Sequence, residues 1–367
     1  MQDLADVKQP RSRGRRQLLK AGAGAVAATA IAAATRRSSL AAPFVQNGSR
    51  RPISVDLHTH WEPESYSKAL AEVTGKRAGT GGNPLTHDLD KRRQWMDEHG
   101  VEMEVLTLSG QMPWQAVSPE AGAHLAQVIN DAAVEAHTAF PNRYYGAIEL
   151  PIRDPQMSLQ ELNRMAGKPG LRAVHLPNSY ENRDYLFEPG FAPLLARCEE
   201  LEYPLLFHPL DGDANIYGGA ERLGGRFEDS NLNNTLGFPF EHATTAAKFI
   251  VTGTLDKYPK LEIVLPHSGG AFPYIAGRIE RGLTSKNFQL AHPFREYIRR
   301  FHYDTLTYYP ETMRFLISLA GSDRIVVGTD TYAPMDAEPN ALVESLNLPA
   351  ADRERILRGN AARLLRI

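Results

Sequence analysis

The sequence predicts an α/β protein, a (β/α)8 TIM barrel with long loops over its C-terminal mouth, preceded by a cleavable leader. Short apolar runs of strand length alternate with helical patterns, as repeated β/α units require. Eight such runs can be read, near residues 53–57, 103–108, 144–150, 171–176, 204–208, 261–266, 301–306 and 324–329, and eight is the number a closed barrel needs. Four of them lead into His or Asp: Ile53-Ser-Val-Asp-Leu-His-Thr-His60, Pro204-Leu-Leu-Phe-His208, Leu261-Glu-Ile-Val-Leu-Pro-His267 and Arg324-Ile-Val-Val-Gly-Thr-Asp330. Core packing does not explain that. In a parallel barrel every strand opens its C-terminal end onto one face, where distant side chains converge.

The N-terminal stretch is set apart by composition. Arg15 and Arg16 precede an Ala/Gly-rich run from Ala21 to Thr35 that is too short and too weakly apolar for a permanent membrane span. It reads as a twin-arginine (Tat) export signal over residues 1–42, with cleavage near Ala41 or Ala42 and delivery to the periplasm or beyond. A basic leader without an address is the alternative. Residues 43–52 form a linker, and 53–367 the catalytic domain.

The whole chain carries a net charge of −2. The first 42 residues hold eight basic and two acidic residues, so the remainder has 33 basic against 41 acidic, a net of −8. An acidic surface argues against nucleic acid or, after cleavage, a membrane as partner. The single cysteine, Cys198, excludes an internal disulfide and sits in a helical pattern as a small packed residue.

Along the domain, His58 and His60 stand two apart in a strand, so their imidazoles share one face and can hold a divalent metal. Trp61 follows directly and is expected to line the mouth, with packing as the alternative. Ser118-Pro, Asp154-Pro and Tyr309-Pro mark helix starts. The intervals 62–89 and 211–240 exceed what a bare β/α unit needs and are glycine-rich at their tips, as lids or substrate walls are. Neither holds a P-loop or a Rossmann fingerprint, and His267-Ser268-Gly269 lacks the frame of a serine hydrolase.

From about Ile53 to Ile367 the chain resembles the amidohydrolase-related family that includes aminocarboxymuconate semialdehyde decarboxylase. The segments V-D-L-H-T-H-W-E-P, L-F-H-P-L-D, K-Y-P-K-L-E-I-V-L-P-H-S-G-G-A-F-P-Y-I-A-G-R-I and V-V-G-T-D-T-Y carry the resemblance. It implies that His58, His60, His208 and Asp330 are metal ligands and His267 the base beside the metal. Three nitrogens and a carboxylate suit Zn2+, with Mn2+ possible. Binuclear relatives bridge their metals with a lysine or glutamate on the fourth strand; here that strand carries His175 and no lysine, which implies one metal. His175 is either a pocket residue or an ordinary hydrogen-bonded histidine. The resemblance also implies that Arg92 and Arg278 bind substrate carboxylate, Arg278 in the neighbouring subunit of a homodimer, and guanidinium groups suit that task. An exposed helix charge is the alternative for Arg92.

The expected activity is a metal-dependent decarboxylase of a small unsaturated or aromatic carboxylic acid, using water activated at the metal and His267, with Asp330 as an alternative proton source. The same site on a lactone, ester or amide would make a hydrolase. A non-catalytic metal or ligand binder is the third reading, against which His267 counts because binding needs no base.

Overall fold

The structure is a computed structural model that describes residues 53–75, 83–108, 111–181, 183–210, 232–331 and 338–367. The leader and the tips of both long intervals lie outside these residues. In chain order the elements are β1 (Ser54–Trp61), α1 (Glu64–Thr74), α2 (Leu89–His99), β2 (Val101–Leu108), α3 (Pro119–Ala139), β3 (Tyr144–Glu149), α4 (Pro155–Met165), β4 (Leu171–Pro177), α5 (Ala192–Leu201), β5 (Leu205–His208), α6 (Phe238–Val251), α7 (Thr254–Lys257), β6 (Ile263–Leu265), α8 (Phe272–Ser285), α9 (Phe294–Ile298), β7 (Phe301–Tyr303), α10 (Pro310–Ala320), α11 (Ala341–Ser345), α12 (Ala350–Glu354) and α13 (Asn360–Leu365).

The seven strands form one parallel sheet in sequential order. The eighth expected strand makes only isolated parallel bridges, Ile325 to Tyr303 on one side, Val327 to Asp56 and Thr331 to Thr59 on the other. The two edges of the sheet meet across this segment, as a barrel requires. It stays irregular because Thr329 and Asp330 both turn their N–H groups onto the carbonyl of His58, at 3.2 and 2.8 Å, and Asp330 is left-handed at φ 54°. The expected strands at 261–266 and 301–306 shrink to three residues each as the chain leaves the ladder before His267 and Asp304.

Two apolar layers follow from strands that are covered on both faces. Inside, Val55, Leu57, Val105, Ala147, Ala173, Leu206, Val264 and Val326 pack with Ala361, Leu364 and Leu365 of α13. That helix sits where the strands begin, since its Arg363 pairs at 3.0 Å with Glu262, just ahead of β6. Outside, the alternate strand residues pack against the helices.

The helix starts match their sequence signals. Ser118 Oγ accepts from Ala121 N at 3.2 Å, and Asp154 Oδ1 accepts from Gln156 N at 2.8 Å and Met157 N at 2.9 Å, each cap contributing about 1 kcal/mol. Tyr309 supplies only an extended backbone ahead of Pro310. The interval 62–89 is not one long loop: α1 and a 3-10 turn at Pro84–Thr86 occupy much of it. Cys198 is buried and unpaired on α5, its thiol pushed up to about 12 by burial.

Candidate active site

The site starts from an irregularity in β1. Val55 and Leu57 face the barrel interior, so strict alternation would turn His58 and His60 outward. The register with β2 slips between Asp56 and Thr59, and such a bulge re-aims side chains. Buried Asp56 steadies it: Oδ1 accepts the His58 N–H at 3.0 Å and Oδ2 the Thr329 hydroxyl at 2.6 Å.

Past the bulge the two imidazoles stand edge to face, 5.4 Å between ring centroids. His208, at the end of β5, brings Nε2 to 3.2 Å from His60 Nε2. Asp330 Oδ1 lies 3.0 Å from His60 Nε2 and 3.4 Å from His58 Nε2, and its Oδ2 lies 3.6 Å from His267 Nε2. One potential ligand atom from each of His58, His208, His267 and Asp330 falls within 4.8 Å of every other. The five side chains named from sequence therefore converge.

Electrostatics sort their roles. Burial holds His60 below the usual imidazole range, and burial with the charges of His60 and His58 holds His208 well below it. Two neutral nitrogens 3.2 Å apart can share only one proton, whereas a cation satisfies both lone pairs. Burial also acts against the charged form of His58, but the carboxylates of Asp330 and Asp304 outweigh it and raise that pKa to about 10. Burial pushes Asp330 up, yet the His58 charge and the imidazoles of His267, His58 and His60 around it hold it well below the carboxylate range. His58 Nε2 is buried and has no hydrogen-bond partner among the described residues, and its Nδ1 is tied to Asp304 Oδ2 at 2.7 Å, the arrangement that presents the other ring nitrogen to a metal. The donor set fits a divalent ion.

His267 follows β6 on a run of left-handed residues, His267, Ser268, Gly269 and Gly270, with φ of 49°, 56°, 73° and 58°. Non-glycine residues pay a steric cost there, and such strain gathers at functional sites.

Two expected substrate contacts are corrected. Arg92 is wholly buried: Nε forms an ion pair with Glu104, and Nη1 donates to the carbonyls of His60 at 2.6 Å and Leu85 at 2.9 Å. It braces β1 from behind and cannot reach a substrate. Trp61 is 3% exposed and belongs to the layer between sheet and helices, because the neighbour of an inward strand residue points outward. Arg278 is exposed on α8.

Sequence reasoning missed Asp304, Glu149 and His242. Asp304, directly after β7, could have been found as a carboxylate at a strand end. Glu149 closes β3 in the same way; its Oε1 accepts Leu108 N at 2.7 Å and lies 2.8 Å from His175 Nδ1. His175, so hydrogen-bonded, is 4% exposed and 6.4 Å from His208 between ring centroids. His242 lies on a helix, and no spacing marks it. His99 and His137 cap or brace backbone, bonding Trp95 O at 2.8 Å and Tyr144 O at 2.7 Å.

Comparison with known proteins gives a consistent picture. The profile of the amidohydrolase family matches residues 55–367. The chain is 28% identical over 345 residues to the 2-amino-3-carboxymuconate-6-semialdehyde decarboxylase of Dictyostelium discoideum, covering 86% of this chain and 92% of that one. It is 30% identical over 295 residues to the gamma-resorcylate decarboxylase of Polaromonas sp. (strain JS666 / ATCC BAA-500), covering 76% and 87%. Among solved structures, a dihydroxybenzoic acid decarboxylase from Polaromonas sp. JS666, with bound manganese and the inhibitor 2-nitroresorcinol, shares the fold with a TM-score of 0.71 at 24% identity, over 86% of this chain and 97% of that one.

Proposed function

We propose, from the premise that this chain belongs to the amidohydrolase family, that it is a metal-dependent decarboxylase of a small unsaturated or aromatic carboxylic acid. The observation that carries this reading is the convergence of His58, His208, His267 and Asp330 within 4.8 Å of one another, with His60 3.2 Å from His208 and 3.0 Å from Asp330. Of these, His58, His60, His208 and Asp330 would hold a single divalent ion. Three nitrogens to one carboxylate favour Zn2+, and Mn2+ is the alternative because the manganese-bound relative shares the fold.

When bound, the metal supplies positive charge that anchors an anionic substrate and polarises its oxygens. The protein does the rest. Losing carbon dioxide breaks a carbon–carbon bond, and the carbon left behind must take up a proton. His267 Nε2 faces the same space as the Asp330 carboxylate, 3.6 Å away, and is placed to move that proton. Asp330 is the second candidate. Asp304 keeps His58 Nδ1–H pointed away from the substrate. Burial of His58 and His60 to 6% and 5% exposure keeps bulk water from competing.

With Arg92 excluded, the substrate carboxylate falls to the cation, and the proposal keeps Arg278 as a contact supplied across a homodimer. The hydrolase alternative is not favoured, because the named relatives are decarboxylases. The proposal also includes export of the folded, metal-loaded enzyme through the twin-arginine leader.

The test is a screen of hydroxylated benzoates and unsaturated carboxylic acids with purified protein, reading released carbon dioxide, with metal content measured in parallel. Chelator-sensitive release is expected. Acid production without carbon dioxide, or turnover indifferent to chelation, overturns the reading.

A further inference from the structure

His267 is held from behind by a second imidazole. His242, in the first turns of α6, places Nε2 3.0 Å from His267 Nδ1, with ring centroids 5.2 Å apart. His242 is 0% exposed, and burial, then the His267 charge, hold it well below the usual imidazole range, so it is neutral. On its far side Asn178 Nδ2 lies 3.3 Å from His242 Nδ1 and donates at 2.8 Å to Thr245 Oγ1. The amide NH2 turned this way leaves Asn178 Oδ1 buried without a partner among the described residues; in that orientation His242 Nδ1 accepts, which places the single proton of His242 on Nε2. That N–H then donates to His267 Nδ1. His267 is left with Nε2, facing Asp330, as the nitrogen through which it exchanges protons.

The backbone enforces this contact. A Cβ on Gly270 would lie 2.3 Å from the Pro239 carbonyl oxygen and 2.5 Å from its Cα, and Ala271 N donates to that same oxygen at 3.0 Å. The start of α6 thus rests on the glycine that ends the left-handed turn, three residues before His242.

We propose that His242 is a positioning residue that fixes the tautomer and ring orientation of His267, so that proton transfer runs through His267 Nε2 alone. The consequence for turnover rests on the decarboxylase reading above; the tautomer itself does not.

The tautomer is read directly from 15N–1H multiple-bond spectra of metal-free, 15N-histidine-labelled protein, with His267 assigned by its loss in His267→Asn. Wild type should show an acceptor-type Nδ1 and a protonated Nε2. His242→Leu should mix the tautomers, and His242→Gln, whose amide can donate from the same place, should restore them. In the metal-loaded enzyme, His242→Leu should lower kcat by about 10- to 100-fold with KM little changed, and His242→Gln should recover most of it. An unchanged His267 tautomer in His242→Leu overturns the proposal. So does a loss of kcat that the glutamine fails to rescue while melting temperature falls in parallel, since that is a merely structural role. Absence of carbon dioxide release from wild type would defeat the decarboxylase reading, and the spectra would still decide the role of His242.

Discussion

Asp304 Oδ2 lies 2.7 Å from His58 Nδ1, and the same carboxylate accepts the backbone N–H groups of His267 at 2.9 Å, Ser268 at 2.7 Å and Leu306 at 3.1 Å. One buried side chain therefore ties the ends of β1, β6 and β7 together. Burial pushes its pKa up, but the His58 hydrogen bond and charge outweigh that and hold it below the usual value.

Asp304→Asn keeps the shape but gives His58 Nδ1 an uncharged partner, so the ring loses the carboxylate that fixes its orientation. Metal affinity should fall by about 10- to 100-fold, as for other partners of ligating histidines. Competition titration against a zinc chelator measures it. Affinity within a factor of two of wild type would sink the assignment of His58 as a ligand.

Arg92 separates a structural from a substrate-binding role. Its guanidinium serves Glu104 and two carbonyls at a site without solvent. Arg92→Leu leaves Glu104 buried without its partner, a defect that costs about 3–5 kcal/mol. Urea unfolding should register that loss, while KM of whatever enzyme folds stays near wild type. A large rise in KM with stability intact would return Arg92 to the substrate.

Much of this was legible because strand-end chemistry is local. H-x-H needs only strand periodicity, and Ser118 and Asp154 cap helices by contacts within three residues. What was not legible depends on where a side chain turns. Arg92 and Arg93 are indistinguishable by composition, yet only Arg92 faces the sheet. Trp61 could have been placed outward by the alternation that paired His58 with His60, but the bulge that decides which face is inward comes from Asp56 and Thr329, 273 residues apart. His242 meets His267 only because Gly270 lets α6 settle on the turn, and no spacing encodes that approach.

Glu262 makes stability depend on acid. Burial would raise its pKa, but the hydrogen bond to His302, at 2.9 Å, and Arg363, at 3.0 Å, bring it from 4.5 down to about 2. A group depressed on folding stabilises fully above its unfolded value and loses that contribution as pH falls through the folded one. Glu262→Gln should therefore be less stable than wild type at pH 7, with the gap closing from about pH 4.5 to about pH 2. Unfolding curves across that window test it; a constant gap would mean the carboxylate is not held by its charge.

Gly328 marks where the irregular eighth segment passes the metal-binding side chains. A Cβ there would lie 2.8 Å from Asp304 Cβ, 2.9 Å from Asp304 Oδ2 and 2.9 Å from His58 Cβ. Both neighbours are buried and pinned to each other, so neither can retreat without breaking the pair. Gly328→Ala should cost about 1–3 kcal/mol, the range for overpacking, and weaken metal binding along with stability. Gly282 on α8 is the control, with nothing within 4 Å of an added Cβ, and alanine there should stabilise by about 0.5–1 kcal/mol. Thermal unfolding with and without added zinc distinguishes the two sites: the zinc-induced rise in Tm should persist in Gly282→Ala and shrink in Gly328→Ala, because only Gly328 abuts the bond between Asp304 and His58.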